Sequence, residues 1–115
     1  ANPDMVGHTG DIKAATEAVE VVDQLTGKIL DQIEKLGGVA LVTADHGNAE
    51  QMREENGKPH TAHTTNPVWL SAFGIDPAQF KINPGILADI APTMLHLMDV
   101  EQPAEMTGKN LVEHV

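Results

Sequence analysis

The sequence predicts an α/β chain with a mostly parallel sheet, and three observations predict it. A helix-length amphipathic stretch, residues 11–36, is followed by the short apolar run Val39-Ala40-Leu41-Val42-Thr43-Ala44. A second run, Val68-Trp69-Leu70-Ser71-Ala72-Phe73, comes after a polar connection. A further helical segment starts near Pro92. Helices alternating with strand-length apolar runs are the pattern of α/β domains. Runs that are apolar throughout, not alternating, are typical of strands buried on both faces of a parallel sheet.

Each element has a local reason. Residues 1–10 read as a loop, with Asn2-Pro3-Asp4 ahead of Gly7 and Gly10. From 11 to 36, Ile12, Ala15, Val19, Val22, Ile29, Ile33 and Leu36 follow the 3–4 spacing of one helical stripe, with Thr26 its weak member. Thr9 or Asp11 can cap the start, and Gly37-Gly38 stops the helix. The opposite face carries Lys13, Glu17, Glu20, Asp31 and Glu34 and reads as solvated. Residues 47–66 are polar and punctuated by Gly, Pro and Asn, hence a long loop, and loops of that length are often functional. Ile75 to Pro84 reads as irregular. Pro92 suits the first turn of a helix reaching about Met98, with Leu95 and Met98 facing inward. The tail, 101–115, shows turn signals at Pro103 and Gly108 and a short apolar end.

Composition narrows the function. The chain has 115 residues, enough for one domain, with 41% hydrophobic and 21% charged residues, which is globular. No apolar run approaches the roughly 18 residues of a spanning helix. The first ten residues lack the basic start and apolar core of a secretory signal. With Ala and not Met at position 1, the natural start is expected to lie elsewhere. Cysteine is absent, which excludes a disulfide scaffold and thiolate metal sites and agrees with a cytoplasmic location. A net charge of −10 argues against nucleic acid and anionic membranes as partners. Arg53 is the one arginine, so phosphate handling would need metal ions or cationic residues from other polypeptide.

The chemistry concentrates in three segments. Asp45-His46 closes the first apolar run, Asp4 and His8 are four apart, and His60 and His63 are three apart. In α/β sheets ligands bind beyond the carboxyl ends of strands, where Asp45 and His46 lie. Taken singly, each has a plainer reading. Asp4 would be a turn residue, His8, His60 and His63 solvated, and Asp45-His46 a strand-end turn with Gly47 at positive φ. Together, carboxylate and imidazole groups without thiolates suit an exchangeable or catalytic Mn²⁺, Zn²⁺, Fe²⁺ or Co²⁺ site, or two metals bridged by phosphate oxygens. His96 and His114 have no such neighbours and read as structural or surface residues.

The blocks Asn2-Pro3-Asp4-Met5-Val6-Gly7-His8-Thr9-Gly10, Thr43-Ala44-Asp45-His46-Gly47-Asn48-Ala49-Glu50 and His60-Thr61-Ala62-His63-Thr64-Thr65-Asn66-Pro67-Val68 resemble cofactor-independent (2,3-bisphosphoglycerate-independent) phosphoglycerate mutase. Asp89-Ile90-Ala91-Pro92-Thr93 and Met106-Thr107-Gly108-Lys109 resemble its C-terminal segments. The family belongs to the alkaline phosphatase superfamily. The resemblance implies that residues 1–115 are the C-terminal part of an alkaline-phosphatase-like three-layer domain, without its N-terminal part or inserted phosphotransferase domain.

It further implies a glycolytic, cytoplasmic isomerase that interconverts 3-phosphoglycerate and 2-phosphoglycerate through a phosphoserine and uses two Mn²⁺, other divalent ions being possible. By position, Asp4, His8 and His63 would hold the first Mn²⁺ and Asp45 and His46 the second. His60 would lie outside the direct ligands. No residue here matches the nucleophilic Ser; Ser71 is the only serine and sits in a predicted strand. The fragment alone is therefore expected to be inactive. The parent is expected to be a monomer, while open sheet edges would let the fragment self-associate. The rival readings are a phosphopentomutase or other metallophosphatase of the superfamily, and a non-enzymatic acidic α/β module.

Overall fold

The computed structural model describes residues 2–115, so Ala1 and its place in the expected opening loop lie outside the described residues. The rest of that loop is in part a helix. Helix α1 spans Pro3–Gly7. Pro3 sits at the first helical position, where its missing N–H costs nothing. The Asn2 side chain caps the turn by accepting the Asp4 N–H at 3.1 Å.

Helix α2 spans Ile12–Lys35. Of the two caps expected, Asp11 serves: its carboxylate accepts the Ala14 N–H at 3.1 Å. The helix ends in a Schellman motif. Gly37 takes φ +66°, the Gly38 N–H reaches the Ile33 carbonyl and the Gly37 N–H the Glu34 carbonyl, both at 2.9 Å. The apolar stripe exists but is mostly uncovered: Ala15 and Ala18 are buried and Ile33 is half-buried. Ile12, Val19, Val22, Ile29 and Leu36 are exposed. The helix packs against α1.

Strand β1 (Ala40–Thr43) pairs antiparallel with β2 (Leu70–Phe73), Ala40 facing Phe73 and Thr43 facing Leu70. The α/β class holds, but the strand pairs formed here do not make the mostly parallel sheet that was expected. The connection between β1 and β2 contains no crossover helix, which a parallel pair requires. Nor is β1 buried on both faces. It is half-buried at Ala40 and Leu41 and exposed at Val42 and Thr43.

The segment expected to be irregular contains β3 (Phe80–Ile82), antiparallel to β4 (Val112–His114). Lys81 and Glu113 face each other with Nζ 3.1 Å from the carboxylate. The Asn83 amide and then Lys81 hold the Glu113 carboxyl below its ordinary range. A 3-10 turn over Leu87–Asp89 leads into α3 (Ile90–Leu97), with Pro92 in its first turn as expected. Leu95 is half-buried, but Met98 is 65% exposed because it is the C-cap and lies past the packed turns.

A small core forms where α3 meets the tail. Pro92, Thr93 and Leu111 are fully buried there. Asp89, also buried, accepts the Ile86 N–H through Oδ2 and the Lys109 N–H through Oδ1, both at 2.9 Å. These two bonds hold its carboxyl below the usual range. Thr93 Oγ1 donates to the Asp89 carbonyl and accepts the Leu111 N–H. This polar joint sews the 3-10 turn, α3 and the tail together.

Helix α3 also ends in a Schellman arrangement, but with Asp99 at φ 55° where glycine is usual. A left-handed Asp is strained, and its charge faces the negative helix end. Asp99→Gly is expected to raise stability by about 0.5–1 kcal/mol, read as a higher urea midpoint at unchanged slope.

Candidate metal centre

Three chain segments meet at one point. The short helix α1 puts Asp4 and its C-cap His8 one turn apart on the same face. The loop after β1 supplies Asp45 and His46, and the long loop returns His63 to them through a bridge between Gly47 and Thr64. Asp4 Oδ1 lies 3.0 Å from His63 Nε2 and 3.4 Å from His8 Nε2, and the two Nε2 atoms are 3.2 Å apart. Among the described residues, these three form a group able to hold a metal ion.

The tautomer of His8 follows from its other nitrogen. Nδ1 is 2.5 Å from the Thr61 carbonyl, which can only accept, so Nδ1 donates there and, in the neutral ring, Nε2 presents its lone pair. A histidine N–H given to a carbonyl, with the far nitrogen aimed inward, is the usual support of a metal-binding imidazole. The point of convergence is thus ringed by a carboxylate oxygen, a bare Nε2 and a second imidazole nitrogen. A divalent cation bound at this point would accept the lone pairs of these three atoms. An ion about 2.1 Å from each donor sets donors about 3.0–3.4 Å apart, between octahedral and tetrahedral edges. The observed spacings fall in that range, so the donor set fits a divalent ion.

His46 joins the edge of this group. Its ring stacks on that of His63 with centroids 3.7 Å apart and planes at 20°. Its Nε2 is 3.9 Å from Asp4 Oδ1 and 3.7 Å from Asp45 Oδ1. Asp45 is on the rim, its side chain 87% exposed. The structure therefore brings Asp4, His8 and His63 fully together, places His46 against them and leaves Asp45 open to solvent. His60 stays outside the group, half-buried, with Nδ1 enclosed and without a hydrogen-bond partner. Gly47 is not at positive φ; a side chain there would collide with Thr64 and Glu50.

Behind the candidate ligands lies a polar layer that residue types alone did not reveal. Glu50 accepts from the Thr64 hydroxyl, from Asn66 and from the Asn48 N–H. The Thr64 bond is the main cause of its lowered pKa. Asn48 is buried beneath Asp4, with Nδ2 3.5 Å from Asp4 Oδ1 and Oδ1 in the space a side chain at Gly7 would need. In sequence Glu50 reads as one more solvated acid; its position four residues after His46 was the available signal.

A cleft of about 860 Å³ opens beside Asp45 and His46, walled by Trp69, Ile86, Leu87 and Leu111. Among the described residues, no lysine or arginine lines it. Bound phosphate there would meet no lysine or arginine of the described residues.

Residues 1–102 match the family model described as Metalloenzyme superfamily. The chain belongs to the Metalloenzyme superfamily. Within this superfamily it is 56% identical, over its whole length, to the 2,3-bisphosphoglycerate-independent phosphoglycerate mutase of Acholeplasma laidlawii (strain PG-8A), covering 22% of that protein. It is 58% identical over 98% of its length to the enzyme of the same name from Clostridium acetobutylicum, again covering 22%. The fold matches a crystal structure of Leishmania mexicana phosphoglycerate mutase at low cobalt concentration, with a TM-score of 0.82 and 34% identity. That match covers 98% of this chain and 24% of the other. This superfamily member thus spans about 22% of the length of the curated relatives it matches.

Proposed function

We propose that the chain is the C-terminal portion of a cofactor-independent phosphoglycerate mutase and supplies metal ligands for the interconversion of 3-phosphoglycerate and 2-phosphoglycerate. The convergence of Asp4 Oδ1, His8 Nε2 and His63 Nε2 carries this reading, with the mutase relatives in its support. Asp4, His8 and His63 would hold the first of two Mn²⁺, and Asp45 and His46 would contribute to the second. A carboxylate with imidazoles suits Mn²⁺, and also Co²⁺ or Zn²⁺.

Bound there, the ions would neutralise the transferring phosphoryl group and lower the pKa of an attacking hydroxyl. The chain's own part is to hold and orient these donors. The His8 Nδ1–H bond to the Thr61 carbonyl fixes that ring, and the His46–His63 stack fixes the other two. The nucleophilic Ser and the cationic residues for the carboxylate and phosphate would come from the remaining polypeptide. Ser71 is committed to β2 opposite Val42. In this reading the intact enzyme is a cytoplasmic, glycolytic monomer; no helix among the described residues is long and apolar enough to cross a membrane.

The test is an assay with 3-phosphoglycerate and Mn²⁺. The 115-residue chain alone is expected to give no turnover, and the full-length protein containing it is expected to turn over. Turnover by the isolated chain would contradict the assignment of the nucleophile elsewhere. A full-length protein that isomerises ribose phosphates, and not phosphoglycerate, would contradict the substrate.

A further inference from the structure

We propose that Glu50 is a positioning residue: it clamps the His46 loop to the His63 loop and, through Asn48, sets both against Asp4. The inference rests on the metal reading above. Glu50 touches none of the candidate ligand atoms. It acts on their immediate neighbours.

Its Oε2 accepts the Asn48 N–H at 2.6 Å, two residues after His46. Its Oε1 accepts from the Thr64 hydroxyl, next to His63, and from Asn66 Nδ2 at 3.0 Å. The Thr64 N–H to Gly47 carbonyl bond, 2.8 Å, lies inside this clamp. Gly47 has no side chain because Thr64 and Glu50 fill that space. The stacked rings of His46 and His63 are the outer ends of the two clamped segments. Asn48, held by its own N–H, then sits 6% exposed against Gly7 with its amide toward Asp4.

The chemistry requires a carboxylate. Donors approach both oxygens, and an ionised carboxylate is acceptor-only. A carboxamide would turn its NH₂ toward one set of donors and break half the clamp. A merely solvated Glu50 would tolerate that change.

The experiment titrates Co²⁺ alone into the wild type, Glu50→Gln, Thr64→Val and Thr64→Ser. It also records the contact between the His46 and His63 rings by NMR in the metal-free proteins. Glu50→Gln and Thr64→Val are expected to weaken Co²⁺ binding by about tenfold or more, the scale of lost ligand support. They are also expected to lose the ring contact and to change the visible Co²⁺ spectrum. Thr64→Ser, which keeps the hydroxyl, should retain all three. Glu50→Gln and Thr64→Val proteins with wild-type affinity and ring contact would overturn the proposal. If Glu50→Gln does not fold, Thr64→Val against Thr64→Ser makes the same comparison. If the wild type takes up no Co²⁺, the metal reading fails. The metal-free ring contact then decides the clamp: its loss in the variants upholds it and its persistence overturns it.

Discussion

Asp89→Asn will lower the melting temperature by roughly 10 °C or more, on the scale of about 4–8 °C per kcal/mol for a domain of this size. The substitution keeps the shape of the side chain. It replaces one accepting oxygen by an NH₂ that faces a backbone N–H, at Ile86 or at Lys109. A buried donor left without an acceptor costs far more than an exposed hydrogen bond contributes. The loss falls on the joint that holds the 3-10 turn, α3 and Leu111 around the best-buried part of the chain.

The pH dependence has a definite sign. The two backbone N–H groups lower the folded pKa of Asp89 below the value of about 3.9 expected in an unfolded chain. Stability from the ionised carboxylate is therefore complete above that unfolded value and is lost as pH falls through the lower folded one. The gap between melts of the wild type and Asp89→Asn will be full and constant above about pH 4 and will close as pH falls below it. A gap that stays constant as pH falls below about 4 would contradict the role given to the charge. Glu50 and Glu113 have lowered values as well, so the difference between the two proteins, not the wild-type curve alone, isolates Asp89.

His63→Ala will weaken Mn²⁺ binding by at least about 100-fold, or about 2.7 kcal/mol. His63 has the shortest approach to Asp4 and links both other imidazoles, 3.2 Å from His8 Nε2 and stacked on His46. It is exposed and packs no core, so the folded state will persist. Calorimetry on the two proteins at equal concentration reads the effect. Equal affinities would remove His63 from the ligand set. His60→Ala is the control, expected to keep wild-type affinity because the ring lies outside the converging group.

How much of this was legible in the sequence differs by element. Both ends of α2 could be read, because Asp11 and Gly37-Gly38 act locally. The fate of its stripe could not. Spacing identifies an apolar face, but burial depends on what packs over it, and Val19, Val22 and Ile29 are exposed here. Strands β3 and β4 were missed because each has three residues, too few for a period, and their pairing joins distant parts of the chain. The antiparallel sense of the β1–β2 pair was not legible, because an apolar run marks a strand without giving its direction.

The candidate site was more legible than the fold around it. Asp and His at close spacing are rare enough to stand out, and the four-residue step from Asp4 to His8 is one helical turn, though Pro3 and Gly7 disguised the helix. The supports were not legible. The Thr61 carbonyl carries no side-chain signature, and Glu50 shares its residue type with many solvated acids. Both act through geometry that exists only once the chain folds back on itself, over 14 residues from Glu50 to Thr64 and 53 from His8 to Thr61.

Anomalous diffraction from crystals of the chain soaked in Mn²⁺ tests the central claim most directly. The predicted result is a manganese peak about 2.2 Å from Asp4 Oδ1, His8 Nε2 and His63 Nε2, with the His8 Nδ1 bond to Thr61 retained. A manganese ion ordered elsewhere, with those three atoms uncoordinated, would contradict it.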